Sequence, residues 1–291
     1  MGDAPATRRP HAPAVAGSSG ANSVVFPYCC RMSMTQAFNI ALILVGDELL
    51  SGRRRDAHLP HFAGVFAARG LNLRQVWVVG DGREDIARVL GDSRRLHCPV
   101  LCCGGIGATP DDQTRQAAAE AFGSPLEIHE AGRHLLESLY RERTYPHRIR
   151  MVEFPQGAEL IPNPVNQVPG FSLDRHHFLP GFPEMAWPMA EWVLERVFGE
   201  VDTAAALVTC RLGFRGVPES DLIPLLDAVG ARHPKVKLSC LPSMRDGFPV
   251  EVGATGRSID ARAAIDDFHA GALGAGLAPH TLEAEAQDAE A

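Results

Sequence analysis

Hydrophobic runs alternate with amphipathic stretches over the first third of the chain. The run from Ile40 to Val45 has the length of a strand and stops at a glycine, which predicts a buried strand. Apolar residues then recur at helical spacing in the segment 57–70, where Gly70 is placed as a C-terminal cap. Three further segments continue as a strand, a helix and a strand: LRQVWVVG, REDIARVLGDSRRL and CPVLCCGG. The predicted order is therefore β, α, β, α, β.

This order predicts an α/β fold with a mostly parallel sheet. Parallel strands need crossover connections, and the helices of those connections cover both faces of the sheet. Ligands of such sheets collect at the carboxyl ends of the strands. The segments GDELLSG and GGIGATPDDQTR directly follow the first and third predicted strands. The polar motifs and the expected pocket therefore coincide.

The chain stays helical after the glycine-rich segment and then becomes irregular. Helices are predicted from Asp111 to Phe122 and from about His129 to Arg143. Prolines and glycines then separate short extended pieces, up to a helix in AWPMAEWVLERVFG that Pro188 starts or kinks. We expect this helix to close a first domain spanning residues 38–199.

A second unit begins near Val201. Its pattern reads strand, helix, strand, strand, helix, which predicts a small α+β (βαββα) domain over residues 200–277. The acidic tail 278–291 and the segment 1–37, rich in Ala, Pro, Gly and Ser, are predicted to be disordered. Met32 or Met34 is an alternative translation start, and the segment upstream would then be an annotation artefact.

Composition excludes several function classes. The formal net charge of −7 and the pI near 5.9 give no basic footprint for nucleic acid. Seven cysteines without CxxC spacing argue against a disulfide framework and a zinc site, and indicate a reducing, cytoplasmic compartment. No run approaches the roughly 20 apolar residues that span a bilayer, so no membrane association is expected.

The segment GGIGATPDDQTR is typical of an anion-binding loop. Glycines after a strand let backbone amides approach an anion, and a helix starting near Asp111 would add its positive dipole end, so phosphate is the natural ligand. The alternative is that Asp111 and Asp112 only complement the helix dipole. Thr109 and Thr114 would either donate to a phosphate oxygen or cap the helix.

Four carboxylates are expected to converge near this loop. Asp47 and Glu48 follow the neighbouring first strand, and Asp111 and Asp112 follow the third. Such a cluster beside phosphate calls for a divalent cation, and hard oxygen ligands favour Mg²⁺. The sequence lacks the Gly-Lys-Ser/Thr of a P-loop and the GxGxxG spacing of dinucleotide folds.

A third motif, LPGFPEM, lies between a strand and a helix. Its Pro180, Gly181 and Pro183 form either a ligand-facing wall or a tight turn. His176 and His177 precede it on a predicted strand, so at most one faces a pocket, and either is more typical of a surface residue than of a catalyst.

Taken together, GDELLSG, VGD, GGIGATPDDQTR, FPQGAELIPNP, VPGF and LPGFPEM resemble the molybdopterin-binding domain family, in the branch at the N-terminus of competence/damage-inducible protein A. The resemblance covers about residues 38–199 and implies a three-layer α/β/α sandwich. It also implies a binding site with an acidic pair, a glycine loop and a closing turn. Its members are Gly46, Asp47, Glu48, Gly104, Gly105, Gly107, Thr109, Asp111, Asp112, Thr114, Pro180, Gly181 and Pro183.

The resemblance implies three functions. The first is binding of molybdopterin or a related phosphorylated nucleotide, with Mg²⁺ held by Asp47, Asp111 and Asp112. The second is metal-dependent cleavage of the pyrophosphate of ADP-ribose or FAD, with the same three aspartates as catalytic residues. The third is a non-catalytic regulator, and in each case a homo-oligomer is expected. The branch's amide-hydrolysing domain has no counterpart in this sequence, so nicotinamide mononucleotide deamidation is not expected.

The segment GRRRDAHLPHFA departs from the family pattern, which has a small polar or Asn residue near this place. The chain carries Arg53, Arg54 and Arg55 there, followed by His58. The basic triplet either meets phosphate or forms a solvated loop.

Overall fold

The computed structural model describes residues 38–199, 207–242 and 250–282. The predicted disordered segment 1–37 and most of the predicted tail, residues 283–291, lie outside these ranges.

The first region contains eight strands. In chain order they are β1 (Phe38–Val45), β2 (Leu71–Val79), β3 (Val100–Cys103), β4 (Leu126–Ile128), β5 (Glu153–Pro155), β6 (Glu159–Ile161), β7 (Gly170–Leu173) and β8 (His176–Leu179). Six of them form one sheet in the order β2-β1-β3-β8-β7-β6, in which the first four strands are parallel and β7 and β6 extend it by antiparallel pairing. The strands β4 and β5 form a separate two-stranded ribbon.

Six helices accompany these strands. They are α1 (Asp47–Leu50), α2 (His58–Ala68), α3 (Arg83–Arg94), α4 (Thr114–Phe122), α5 (Glu130–Tyr140) and α6 (Pro183–Phe198), with short 3₁₀ helices at Arg141–Thr144 and Arg148–Val152. The helix α6 begins at Pro183 and holds Pro188 in its interior, so of the two roles expected for Pro188, a start or a kink, the start is excluded. Pro183 suits the first helical position because the missing N–H has no partner there in any case.

The strand β1 divides the core into two layers. Its alternate side chains point to opposite faces, and Ile40 to Leu44 are fully buried. Ala41 and Ile43 pack in one cluster with side chains of α3, α4 and α5. Leu42 and Leu44 pack in another with side chains of α2 and α6. The predicted α/β class, with helices on both faces of a mostly parallel sheet, is confirmed.

The prediction that His176 and His177 behave as surface residues is wrong, because both are buried on β8. His176 Nε2 lies 2.8 Å from the Ser93 hydroxyl, and His177 Nδ1 lies 2.8 Å from the Ser172 hydroxyl. Burial lowers the pKa of His176 to about 4 and that of His177 to about 3. The two histidines are therefore neutral, hydrogen-bonded core residues.

The second region is a small α+β sandwich. Its elements are β9 (Leu207–Phe214), α7 (Glu219–Arg232), β10 (Lys237–Leu241), β11 (Val250–Arg257), α8 (Ser258–Gly274) and β12 (Pro279–Leu282). The four strands form an antiparallel sheet in the order β10-β11-β9-β12, and a third hydrophobic cluster joins it to α7 and α8. The predicted βαββα order is present. The strand β12 falls in the predicted tail, so the disorder expected for residues 279–282 is wrong.

Candidate functional site

Four parallel strands end at one edge of the large sheet. Val45 at the end of β1 pairs with Val79 at the end of β2. Cys103 at the end of β3 pairs with Leu44 on one side and with Leu179 on the other. The loops that follow these strands therefore start side by side. We call segments 46–48 and 80–82 the acidic half of this edge, and segments 104–107 and 180–183 its glycine half.

Two aspartates bind each other's backbone in the acidic half. The Asp47 N–H donates to Asp81 Oδ2 at 3.1 Å, and the Asp81 N–H donates to Asp47 Oδ1 at 3.2 Å. A Cβ on Gly80 would collide with the Asp47 carboxylate, so the segments after β1 and β2 can lie this close only because residue 80 is a glycine. The structure thus places the predicted Asp47 beside Asp81, which the sequence analysis did not select. The signal was the VGD motif, in which an acid follows β2 directly.

Asp81 lies among negative charges. Partial burial raises the pKa of its carboxyl, and the neighbouring carboxylates of Asp47, Glu48 and Asp111 raise it further. The N–H donated by Asp47 offsets part of this rise. An acid whose charged form is disfavoured by its neighbours gains from an added cation. The acidic half is therefore electrostatically suited to bind a positive ion.

The loop after β3 needs glycine at two positions. Gly104 has φ +110° and Gly105 has φ +68°, a region that side chains with a Cβ rarely adopt. The loop is also tightly packed, because a Cβ on Gly104 would meet the carbonyl of Val45. A Cβ built on Gly181 would lie 3.4 Å from the Gly104 Cα. The two loops of the glycine half thus contact each other through backbone.

Thr114 supports this loop from the first position of α4. Its N–H donates to the Gly105 carbonyl at 3.0 Å, and its buried hydroxyl donates to the Gly104 carbonyl at 2.9 Å. The hydroxyl, expected to donate to phosphate or cap a helix, therefore donates to the Gly104 carbonyl instead. Because Thr114 binds these two carbonyls, the fold fixes the backbone conformation of the loop without a ligand.

Arg115 also supports the loop, and sequence reasoning missed it. Its side chain is almost completely buried, and Nη2 donates to the Gly107 carbonyl at 2.7 Å. Nη1 donates to the carbonyls of Arg150 and Glu153. Burial lowers the pKa of Arg115, while the nearby Glu153 carboxylate, 3.8 Å from Nη1, raises it. The guanidinium thus ties the glycine loop to the chain entering β5.

The two adjacent aspartates do not lie in a helix. The Thr109 N–H and hydroxyl donate to Asp112 Oδ2 at 2.9 and 2.5 Å, and the Asp112 N–H donates to the Thr109 carbonyl at 3.1 Å. These bonds close a turn, so α4 starts at Thr114 and the prediction of a helix from Asp111 is wrong. Thr109 therefore binds Asp112 instead of capping the helix. Hydrogen bonding by Thr109 also lowers the pKa of the exposed Asp111.

His58 fixes the turn after β8. Its Nε2 lies 3.1 Å from the Gly181 carbonyl, and because a carbonyl only accepts, this nitrogen carries the proton. Burial lowers the pKa of His58 against the opposing effects of the Gly181 bond, Asp56 and Glu184. A small cavity of about 40 Å³ lies beside it, lined in part by Glu48 and Cys103. The neutral imidazole therefore orients the Pro180–Pro183 turn.

The predicted site residues all follow the ends of β1, β3 and β8. Most lie on loops, while Asp47 and Glu48 belong to the short α1, and Thr114 and Pro183 begin α4 and α6. Over the part of the chain that the structure describes, no group of three or more His, Cys, Asp or Glu side chains is arranged to hold a metal ion. Asp47, Asp111 and Asp112 alone therefore do not form a metal cage. Within the same residues, no helix is long and apolar enough to cross a membrane.

Comparison with known proteins identifies relatives of this region. The sequence profile of a family described as "Probable molybdopterin binding domain" matches residues 41–199, which include all four loops. A protein of Aeropyrum pernix is 31% identical over 208 residues, covering 69% of this chain and 78% of the relative. A CinA-like protein of Citrifermentans bemidjiense is 32% identical over 208 residues, covering 69% of this chain and 50% of that relative.

A solved structure agrees with the sequence relatives. The protein CinA of Thermoplasma acidophilum, described as having unknown function, superposes with a TM-score of 0.51 at 26% identity. The superposition covers 55% of this chain and 98% of that protein. The superposition shows a shared fold over about half of this chain. The match to the CinA-like protein of Citrifermentans bemidjiense spans half of that relative's length.

Proposed function

The chain belongs to the probable molybdopterin-binding domain family, of the CinA-like kind, and on that premise we propose that its carboxyl edge binds a phosphorylated pterin or nucleotide together with a divalent cation. The observation that carries the proposal is the meeting of an acidic half and a glycine half at one edge of a parallel sheet. Such edges are where α/β folds bind their ligands.

The glycine half supplies the contacts for phosphate. The Gly104 N–H is already bonded to the Leu179 carbonyl at 3.0 Å, so the amides for an anion would be those that follow, beginning at Gly105. Thr114 holds the Gly104 and Gly105 carbonyls, so these amides need little rearrangement when an anion arrives. The acidic half would repel the same anion unless a cation lay between them. Both halves therefore favour a ligand that arrives with a metal ion.

The donor set fits Mg²⁺ only when the ligand takes part. Mg²⁺ is commonly held by one or two carboxylates, several waters and substrate phosphates, and needs no cage of protein ligands. Asp47 and Asp81 each engage one carboxylate oxygen in their reciprocal bonds. These two residues, with Asp111 beside them, would hold the ion against the ligand's phosphate, and the ion would neutralise phosphate charge. Asp112, bound to Thr109, would keep the loop in place.

A second candidate function is hydrolysis of the pyrophosphate bond of an ADP-ribose-like or FAD-like dinucleotide. The exposed Asp111, whose pKa is lowered, stays ionised and can orient a water beside the acidic half. The water oxygen would bond to one phosphorus while the bridging oxygen leaves with the other phosphate, and the water proton would pass to solvent. A third candidate, a non-catalytic oligomeric regulator, needs neither ligand nor turnover.

The experiment measures AMP release from ADP-ribose and FAD, with and without MgCl₂, alongside ADP binding by calorimetry. For the hydrolase, we expect metal-dependent release that falls about 100-fold in Asp47→Asn. The matched control is Asp227→Asn, an exposed acid on α7, which should leave both readouts unchanged.

The two readouts separate the candidates. ADP binding without AMP release supports a binding protein. Absence of both, for ADP and for a phosphorylated pterin, contradicts the proposal and favours the regulator.

A further inference from the structure

An aromatic side chain is exposed at the centre of the glycine half. Phe182 follows Gly181, which contacts Gly104, and precedes Pro183, where α6 begins. The Phe182 side chain is 53% exposed although the neighbouring strands end in buried residues. The exposed Phe182 ring therefore lies one residue along the chain from Gly181, where the two loops contact each other.

Arg54 lies against this ring. Its Cζ is 5.7 Å from the centre of the Phe182 ring, and its Nη1 is 4.0 Å from the Glu48 carboxylate. A guanidinium over an aromatic face is attracted by the ring quadrupole, and the carboxylate limits the sideways movement of the guanidinium. Arg54 thus connects the acidic half to Phe182. Arg54 is exposed, as expected for a solvated loop, and its guanidinium also contacts the Phe182 ring.

We propose that Phe182, backed by Arg54, is the surface on which the planar ring of the ligand stacks while the ligand's phosphates lie on the glycine loop from Gly105 onward. The inference rests on the proposed function and adds the part of the ligand that the glycines cannot recognise. Glycine amides read only negative charge, so they do not distinguish inorganic pyrophosphate from a nucleotide. An exposed aromatic ring beside them binds any flat heterocycle through its π face.

The position of the ring suits a nucleotide or a pterin phosphate. Phe182 is one residue from the Gly181–Gly104 contact, so a ligand with its phosphate on the loop extends past this ring. The surrounding charges are mixed, since Arg54 is positive and Glu48 negative, and neither excludes a neutral heterocycle. The remaining solvent exposure leaves room for a second ring to pack on the first.

The test compares ADP with inorganic pyrophosphate, which keeps two linked phosphates and lacks the ribose and the ring, both titrated at the same MgCl₂ concentration. Phe182→Ala should weaken ADP binding by about 5- to 150-fold, the range expected for loss of one stacked base. Pyrophosphate binding should change less than about two-fold, because it makes no stacking contact. Phe182→Tyr keeps the ring and should retain ADP affinity.

Two further variants guard against an effect on folding. Leu273→Ala removes a comparably exposed apolar side chain from α8 and should leave both affinities unchanged. Phe182→Trp places an indole at the stacking surface, and its fluorescence should be quenched by ADP and not by pyrophosphate.

The outcomes distinguish the stacking surface from the proposed function. Equal weakening of ADP and pyrophosphate in Phe182→Ala would mean that Phe182 only shapes the turn, and unchanged ADP binding would mean that the ring is not used. A change in oligomeric state with unchanged ADP affinity would assign Phe182 to a contact between copies. Each of these overturns the stacking surface alone. A wild-type protein that binds neither probe contradicts the proposed function as well.

Discussion

The acidic half and the glycine half of the carboxyl edge are positioned by different means. In the acidic half, Asp47 and Asp81 accept each other's N–H groups near the surface, with further carboxylates close by. In the glycine half, the buried side chains of Thr114, Arg115 and His58 bind loop carbonyls from within the core. One half is held by the exposed groups that would meet a ligand, and the other by buried side chains.

The difference shows which half is built before a ligand arrives. Buried donors are costly to leave unpaired, so the glycine loop keeps its shape in the empty protein. Crowded carboxylates repel one another, so the acidic half is stable only to the extent that its backbone bonds offset the repulsion. Acidification, loss of the buried Arg115 guanidinium and loss of the Asp81 charge should therefore change the stability of the protein by different amounts.

Acidification should give the largest effect, because β8 beneath the glycine half contains two neutral histidines. Burial lowers the pKa of His176 to about 4 and of His177 to about 3, from an ordinary value of 6.5. Protonation below pH 6.5 therefore favours the unfolded chain. Each histidine costs about 1.4 kcal/mol per pH unit, or about 4 kcal/mol for both at pH 5. Urea unfolding between pH 7 and pH 5 measures this loss.

The control for this prediction measures how steeply the free energy of unfolding changes with pH. His177→Asn, which can still bond the Ser172 hydroxyl, should reduce the slope by about 1.4 kcal/mol per pH unit. His280→Asn, at an exposed position, should leave the slope unchanged. Equal slopes in wild type and His177→Asn would show that His177 titrates normally.

Removing the buried guanidinium should give the next largest effect. Arg115→Met leaves the carbonyls of Gly107, Arg150 and Glu153 without their donor, and we expect a loss of about 2–4 kcal/mol in the free energy of unfolding. Affinity for pyrophosphate should fall too, because the loop is no longer fixed. Chemical denaturation and calorimetry measure the two effects.

A surface arginine provides the comparison. Arg133→Met removes exposed ion pairs on α5 to Glu130 and Glu137, which should cost much less stability than Arg115→Met because solvent screens such pairs. If Arg115→Met costs no more than Arg133→Met, the glycine loop does not depend on the guanidinium.

Asp81→Asn should give the smallest change in stability, with the opposite sign. The asparagine can still accept the Asp47 N–H, while one of the crowded charges is removed. We expect the empty protein to gain up to about 1 kcal/mol near pH 7, and Mg²⁺-dependent ADP binding to be lost. Thermal unfolding without ligand measures the first effect and calorimetry the second. A variant that is less stable and binds normally would mean that the carboxylate is structural.

The sequence predicted the parts of the site that local pattern determines. The apolar run of β1 and the glycines at 104 and 105 could be recognised because strand burial and positive φ each restrict the residue types. Arg115 could not, because its burial depends on carbonyls of residues 150 and 153, far away in sequence. Asp81 became important only through the strand order that places β2 beside β1.

Side-chain hydrogen bonds explain two predictions that were wrong. An aspartate pair before a helix usually belongs to its first turn, but Asp112 binds Thr109 three residues earlier and delays α4 to Thr114. Two adjacent polar residues such as His176 and His177 predict surface positions, whereas hydrogen bonds to the Ser93 and Ser172 hydroxyls make them compatible with the core.

The strand β12 has a practical consequence for producing shorter forms of the protein. It pairs with β9 along the edge of the small sheet, with Pro279 opposite Phe214 and Leu282 opposite Arg211. A fragment cut at residue 277, where composition suggests a boundary, would leave β9 with a bare row of N–H and C=O groups able to pair with another chain. Such a fragment should aggregate at concentrations where a form that keeps residues 279–282 remains monodisperse.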